Sequence, residues 1–442
     1  MSTIPYASRS FFGFFSSVLI ARGLGPVGMG QYALVMSVSD GVTVLSDLGV
    51  GQTALRYGSL AASRKDVASH LAVLRWAFGV RMTLTLLLVT VLFLLAPILT
   101  AWCWHAGGLA GALRVGLLVA VFSAAAAVPS LYFQSLKRFG MNALVLTVQG
   151  FVALAGVGVL AILRAWSVPA VVGMAALATG IGALLFLHLI PRGAIYSRTP
   201  DPGGRKPGGR VPWQLSLPEE LEVTNLDTTS ANRFTLYLLL STLIVMITMR
   251  LDVWLMGYFT DQAQIGLYSI ATRAALPLVF LLGGLNTALW PRASSLTSLA
   301  EFRNLVRKTL KASVVVAMMG GVYAIIVPFV VTLLFGSQYH ASGGLARIIV
   351  FGYCVACLAN PIGVVGYSIG LARVYWIVNL FQMALVVAML VLLLPHYGAL
   401  GAAWAFLINT LSGGLINGML VWRRSRRWSG RIGDDTRSLR GF

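Results

Sequence analysis

The chain has 442 residues, 58% of them hydrophobic and only 10% charged, with a formal net charge of +20. An average soluble domain is roughly 25% charged, so this composition excludes a soluble globular enzyme and indicates a polytopic membrane protein. The basic excess excludes a nucleic-acid partner as well, because it follows the positive-inside pattern of membrane topology rather than forming one basic face.

A hydrocarbon core of ~30 Å takes about 20 apolar residues of helix to cross, and twelve such runs are present, so the fold class expected is all-α with twelve transmembrane helices. The first, 5–21, is short; the second, 29–50, follows at once with no A-x-A cleavage site between them, so the start reads as a helix and not as a signal peptide. Runs at 77–101, 111–133, 142–163 and 168–190 complete an N-terminal six-helix bundle, 1–190. The polar stretch 191–232 is rich in Gly, Pro and Arg between Arg198 and Pro212 and reads as a flexible cytoplasmic linker. Its glycines are not a phosphate-binding loop, since no G-K-[ST] follows and no strand precedes. Runs at 234–258, 264–290, 312–334, 344–368, 374–394 and 399–421 make a second bundle, 233–422, and the basic tail 423–442 is suited to anionic inner-leaflet lipid.

With the N-terminus cytoplasmic, most of the 33 Lys and Arg fall at cytoplasmic ends and loops, Arg56, Arg75, Arg81, Lys137 and Arg138 among them. Arg56, Lys137 and Arg138 would line a cytoplasmic mouth. The three cysteines give no disulfide framework, and Cys354-x-x-Cys357 sits in an apolar helix without the setting of a redox motif. The five histidines are scattered, with no acidic partner at metal-ligand spacing, so neither a cofactor nor an enzyme is expected.

An internal repeat organises the chain. Gly30-x-Tyr32-Ala33 recurs as Gly266-x-Tyr268-Ser269, Pro97 as Pro328, Pro129 as Pro361, and Gly173-x-Ala175 as Gly401-x-Ala403. Six helices is an even number, so each half starts on the same side and the two should be parallel repeats enclosing a central cavity. Pro97, Pro129, Pro277, Pro328 and Pro361 then read as kinks or helix ends.

Inside the apolar segments stand Arg250, Asp252, Arg273 and Asp40. A charge at the bilayer centre costs about 2.5 to 3.5 kcal/mol on insertion scales, so such residues pair with one another or face a cavity. Arg250 and Arg273 each lie about 12 to 14 Å from the outer end of their helices, at similar depth. The structural alternative is that they bridge to Asp252 or Asp40. Their asymmetry favours function: their repeat-equivalents are Phe14 and Ser37, and that of Asp40 is Leu276, whereas a scaffold role demanded by the repeat would recur. Asp47, beside Gly49 near the cytoplasmic end, reads as structural.

The run from Arg22 through Gly23, Leu24, Gly25, Pro26, Gly28, Gly30 and Tyr32 to Ala33 opens a set of landmarks in fixed order. Asp47-Leu-Gly49, Arg56-Tyr57, Phe133-Gln134-x-x-Lys137-Arg138-Phe139, Arg250-Leu-Asp252, Phe335-Gly336-x-x-Tyr339 and Pro395-His-Tyr-Gly398-Ala-Leu-Gly401 follow. Together they resemble the polysaccharide-biosynthesis branch of the multidrug/oligosaccharidyl-lipid/polysaccharide exporter superfamily, the Wzx-type O-antigen flippases. The resemblance implies an inner-membrane transporter of undecaprenyl-diphosphate-linked oligosaccharide, serving lipopolysaccharide or exopolysaccharide synthesis by alternating access. A polysaccharide polymerase and chain-length machinery would be its partners. Arg250 and Arg273 would hold the diphosphate, with Asp252, Asp40, Gln134, Gln149 and Asn286 as further polar residues of the site. The alternatives are a multidrug or organic-cation antiporter of the same superfamily, a lipid II flippase, which resembles fourteen helices, and, from another class, a membrane polysaccharide polymerase. A polymerase would call for a large external loop, and the longest one here, around Trp102 to Gly111, is small.

If the linker is cytoplasmic, alkaline phosphatase fused at Gly208 should be inactive while a fusion in the Trp102 loop is active; the reverse pattern would invert the topology.

Overall fold

The computed structural model describes residues 4–64, 66–190, 228–294, 299–368 and 372–426, and every element of regular structure among them is helical. Hydrocarbon offers no partner for backbone polar groups, so each spanning segment satisfies them within its own helix. Helix α1 (Ile4–Asp47) is followed by α2 (Val50–Ser63), α3 (Val67–Ile98), α4 (Ala110–Ser135), α5 (Phe139–Ile162) and α6 (Val168–Leu189). Then come α7 (Thr228–Phe259), α8 (Gln262–Ala274), α9 (Leu276–Ser294), α10 (Leu299–Phe335), α11 (His340–Ser368), α12 (Ala372–Tyr397) and α13 (Ala399–Arg426). Among the described residues ten helices are long and apolar enough to cross a membrane, and eleven if the bent pair α8 and α9 counts as one span. The protein is a multi-pass membrane protein.

The difference from the twelve expected segments lies in α1, which carries both 5–21 and 29–50. Its two arms meet at Gly25, whose φ of 69° and ψ of 179° are not helical, and Pro26 starts the second arm. Only glycine adopts that backbone without strain, and proline suits a first helical turn because its missing N–H would be unpaired there. Two other boundaries move. Helices α3 and α10 begin before the expected 77 and 312, since at 1.5 Å per residue the 37 residues of α10 run about 55 Å and carry its basic first turns beyond the hydrocarbon. The expected segment 264–290 is broken between α8 and α9 by a 45° bend at Ala275, two residues before Pro277. Most of the 191–232 linker and the tail beyond Arg426 lie outside the described residues.

The chain forms two compact units: unit 1 is Met1–Gly23 with Val35–Arg233, and unit 2 is Leu24–Leu34 with Phe234–Phe442. In unit 1, Phe133, Val145, Leu146, Phe186 and Ile190 form one buried cluster, and Val50, Ala54, Leu74, Ala77 and Val128 another. The Ser39 hydroxyl donates to the Gly116 carbonyl at 2.7 Å, tying α1 to α4. Asp66 caps α3 by accepting the Ser69 N–H at 3.0 Å, and hydrogen bonds from Ser69 hold its carboxyl below the ordinary range.

In unit 2, α11 packs against α10 and α13, and α12 against α13. The segment Leu24–Leu34 belongs to this unit because of two glycines. A Cβ at Gly30 would run into the carbonyl of Gln262, and one at Gly266 into the carbonyl of Pro26, each lying 2.8 Å from the carbonyl carbon. The two helices therefore touch backbone to backbone, as small residues permit in membranes. The Gln31 side-chain amide donates to the Gln262 side-chain oxygen beside the crossing. Gln264 accepts the Ala399 N–H at 2.7 Å, adding the start of α13 to the assembly.

Gly30→Leu and Gly266→Leu should each lower unfolding stability by about 1–3 kcal/mol or more through overpacking. Gly158→Ala in α5, where nothing lies within 4 Å of an added Cβ, should be neutral in the same thermal-unfolding measurement. Equal melting temperatures for all three would contradict the crossing.

Candidate functional site

Helix α7 carries Arg250 and Asp252 inside the candidate span Leu240–Phe259. Two residues turn a helix by about 200°, so the two side chains leave on different faces. Asp252 is half-buried, and its hydrogen bonds come from neutral donors: the Tyr268 hydroxyl at 2.7 Å to one oxygen and the Val253 N–H at 2.7 Å to the other. Tyr268 is only 2% exposed, so this phenol is committed to the carboxylate. Arg250 on α7 and Tyr353 on α11 both lie within electrostatic reach of Asp252. The carboxylate on α7 thus accepts a hydrogen bond from a phenol on α8 and has a second phenol, on α11, within electrostatic reach.

Arg273 sits near the end of α8, just before the bend at Ala275. It is seven residues beyond Gly266, which returns it to nearly the same helix face, toward the Leu24–Leu34 segment. Helical side chains lean toward the N-terminus, so the long guanidinium reaches back to Tyr32, with its Cζ 5.9 Å from the ring centroid. Tyr339, fully buried in the short turn just before α11, is within electrostatic reach of the same guanidinium. Both membrane arginines belong to unit 2, and Arg273 stands among tyrosines.

The other sequence candidates fall elsewhere. Asn286 on α9 accepts the Asn360 side-chain amide from α11, so it joins two helices of unit 2. Gln134 donates to the Ser130 hydroxyl at 3.0 Å, and Ser130 in turn donates to Asn142 at 2.7 Å, a polar link between α4 and α5 in unit 1. Gln149 packs against Gly182 of α6. Asp40 is half-buried in unit 1 and has a partner of its own. Lys137 and Arg138 are exposed at the α4–α5 turn, where Lys137 takes a positive φ of 57°. Arg56 lies on α2, and its side chain is outside the described residues.

Sequence reasoning missed two groups. Arg81, counted as a topology charge, is 8% exposed and forms an ion pair with Asp47, while the Gly51 N–H donates to the same carboxylate oxygen at 3.2 Å. Asp47 thus ties the end of α1, the start of α2 and the middle of α3 across the two left-handed residues Leu48 and Gly49. His70 is buried against the Ser135 hydroxyl at 2.9 Å and stacks on Tyr132. The tyrosines were visible as a Gly-x-Tyr repeat, but nothing in the sequence assigned them to the charges. Among the described residues no three His, Cys, Asp or Glu are placed to hold a metal ion.

A family model described as polysaccharide biosynthesis protein matches residues 6–297. No curated protein matches the sequence. Among solved structures, the inward-facing conformation of a multidrug resistance MATE family transporter of the MOP superfamily superposes with a TM-score of 0.72 at 12% identity, covering 97% of this chain and 98% of that one. The lipid II flippase MurJ in an inward closed conformation gives 0.70 at 12% identity over 96% and 89% of the two chains. The MATE multidrug transporter DinF-BH gives 0.59 at 15% identity over 96% and 93%. At these identities the likeness is one of fold.

The Asp47–Arg81 pair yields a stability prediction. Arg81→Ala leaves a half-buried carboxylate without its cation and should cost about 3–5 kcal/mol, whereas Asp47→Asn with Arg81→Met should recover most of that loss. Thermal unfolding of the purified variants decides it, and a double variant no better than Arg81→Ala would refute the pairing.

Proposed function

The chain belongs to the polysaccharide biosynthesis protein family, and from that premise we propose that it is a flippase carrying undecaprenyl-diphosphate-linked oligosaccharide from the cytoplasmic to the periplasmic leaflet of the inner membrane. The observation that carries the reading is that two arginines, Arg250 and Arg273, lie in the apolar helices of unit 2, the first within electrostatic reach of Asp252 and the second against Tyr32. A sugar chain and a diphosphate cannot cross hydrocarbon unshielded, while the polyprenyl tail can remain in lipid. Guanidinium groups suit the diphosphate because their planar N–H forks bind phosphate oxygens in charge-assisted pairs. Alternating access then exposes this site first to one side and then to the other.

On this reading both termini and the linker 191–232 are cytoplasmic, the two helix sets 1–190 and 233–422 are the working halves, and the basic tail rests on anionic lipid. Arg56, Lys137 and Arg138 receive the anionic headgroup at the cytoplasmic mouth, and Asp40, Gln134 and Asn286 contribute polar contacts along the path. A polymerase and chain-length machinery take the product for lipopolysaccharide, O-antigen or exopolysaccharide assembly.

One observation favours a second reading. Asp252 with Tyr268 is an acid beside an aromatic ring, a combination suited to an organic cation, which a multidrug antiporter would carry.

Complementation of a flippase-deficient strain separates the two. Arg250→Ala and Arg273→Ala should insert normally and abolish complementation, with Lys at either position restoring only part of it, because an ammonium keeps the charge but loses the fork. Full complementation by the double Ala variant at normal membrane abundance would contradict the flippase reading, and drug resistance lost on Asp252→Asn alone would favour the antiporter.

A further inference from the structure

Among the described residues, two buried side-chain nitrogens have no hydrogen-bond partner, Arg81 Nε and Trp254 Nε1. Arg81 has Asp47 for its charge. Trp254 is a different case, because an indole carries one donor and no acceptor, and that donor is unmet. Tryptophans near the end of a membrane helix commonly belong to the interfacial belt, where the N–H turns to water and headgroups. Trp254 stands five residues before the end of α7 at Phe259, yet its N–H is buried, and a buried donor left unpaired carries its full desolvation cost.

Its place on α7 points to what would satisfy it. Trp254 is four residues beyond Arg250, which returns it to nearly the same face one turn further along, and helical side chains lean toward the N-terminus, back over the arginine's turn. That face lies about 140° from Met249, whose 70% exposure marks the lipid side. Asp252 leaves the helix about 200° from Trp254, so the acid is not the indole's acceptor. A lone donor one turn from a guanidinium calls for an acceptor that is itself negative.

We propose that the Trp254 indole N–H is a further donor to the phosphoryl oxygens of the substrate, acting one turn from Arg250. This role rests on the flippase reading and extends it to a residue that carries no charge. It asks nothing of the contacts Arg250 already has, since the indole brings a donor of its own. A phosphoryl oxygen has lone pairs to accept from both a guanidinium and an indole, whereas an organic cation offers a bare N–H nothing to bond.

The test is binding of radiolabelled undecaprenyl diphosphate-N-acetylglucosamine to the full-length protein in nanodiscs, with thermal unfolding recorded for every variant. Trp254→Phe keeps a ring, loses the N–H and should bind about tenfold more weakly. Trp254→β-(3-benzothienyl)alanine sets sulfur in place of the N–H at nearly the same shape. It should show the same loss of affinity while unfolding at or above the wild-type temperature, because the unpaired donor is gone. Wild-type affinity in this second variant would overturn the role, and it decides even where Trp254→Phe fails to fold. Arg250→Ala separates the indole from the parent reading. If Arg250→Ala binds as the wild type does, the diphosphate site at Arg250 falls and the indole's role with it. If it loses the probe while both Trp254 variants keep it, only the indole's role falls. Unlabelled probe should displace the label, and an equal amount of phosphatidylglycerol should not. Equal displacement by the two would assign the N–H to bulk lipid phosphate and overturn its assignment to the substrate.

Discussion

Unit 2 depends on one steric constraint, the contact of two helix backbones at Gly30 and Gly266. Neither position has room for a single extra carbon, because the facing carbonyls of Gln262 and Pro26 occupy the space. In hydrocarbon no hydrophobic force pulls helices together, so close approach, dispersion and weak Cα–H contacts have to supply the attraction. The setting of Arg273 follows from that approach. It brings a segment from the first half of the sequence, Leu24–Leu34, into unit 2 and sets Tyr32 opposite Arg273.

The charges inside unit 2 are handled by polarity matching rather than by ion pairing at Asp252. Its oxygens accept from a phenol and a backbone amide. In unit 1 the opposite solution is used, since Asp47 and Arg81 form a direct ion pair at the junction of α1, α2 and α3. A direct pair neutralises both members and locks a joint. Neutral donors satisfy an acid by hydrogen bonding without a direct ion pair.

The sequence made the fold class legible because apolar runs at bilayer length leave few alternatives, and its landmarks pointed to the family. Boundaries were less legible. Arg22, Gly23, Gly25 and Pro26 between 21 and 29 read as a break between two segments, which hid that α1 runs through Gly25 as one interrupted helix, and the basic turns of α10 looked like loop because composition, not backbone, set the expected start. For the site, Arg250, Arg273 and Asp252 stood out as charges in apolar surroundings. Their tyrosine partners did not, since a phenol in a membrane helix is ordinary and only the fold places Tyr268 beside Asp252. Asn286 was visible as an amide but not as the partner of Asn360, 74 residues away. Arg81 was misjudged for a related reason: it sits where the positive-inside rule expects a cation, which concealed its burial against Asp47.

The central claim is that Arg250 and Arg273 hold the diphosphate, and native mass spectrometry of the purified protein tests it most directly. Wild-type protein offered equal amounts of undecaprenol, undecaprenyl phosphate and undecaprenyl diphosphate-N-acetylglucosamine should retain the diphosphate in strong preference to the other two. The Arg250→Ala, Arg273→Ala double variant, equally folded, should lose that preference. A double variant that retains the diphosphate as the wild type does would contradict the account.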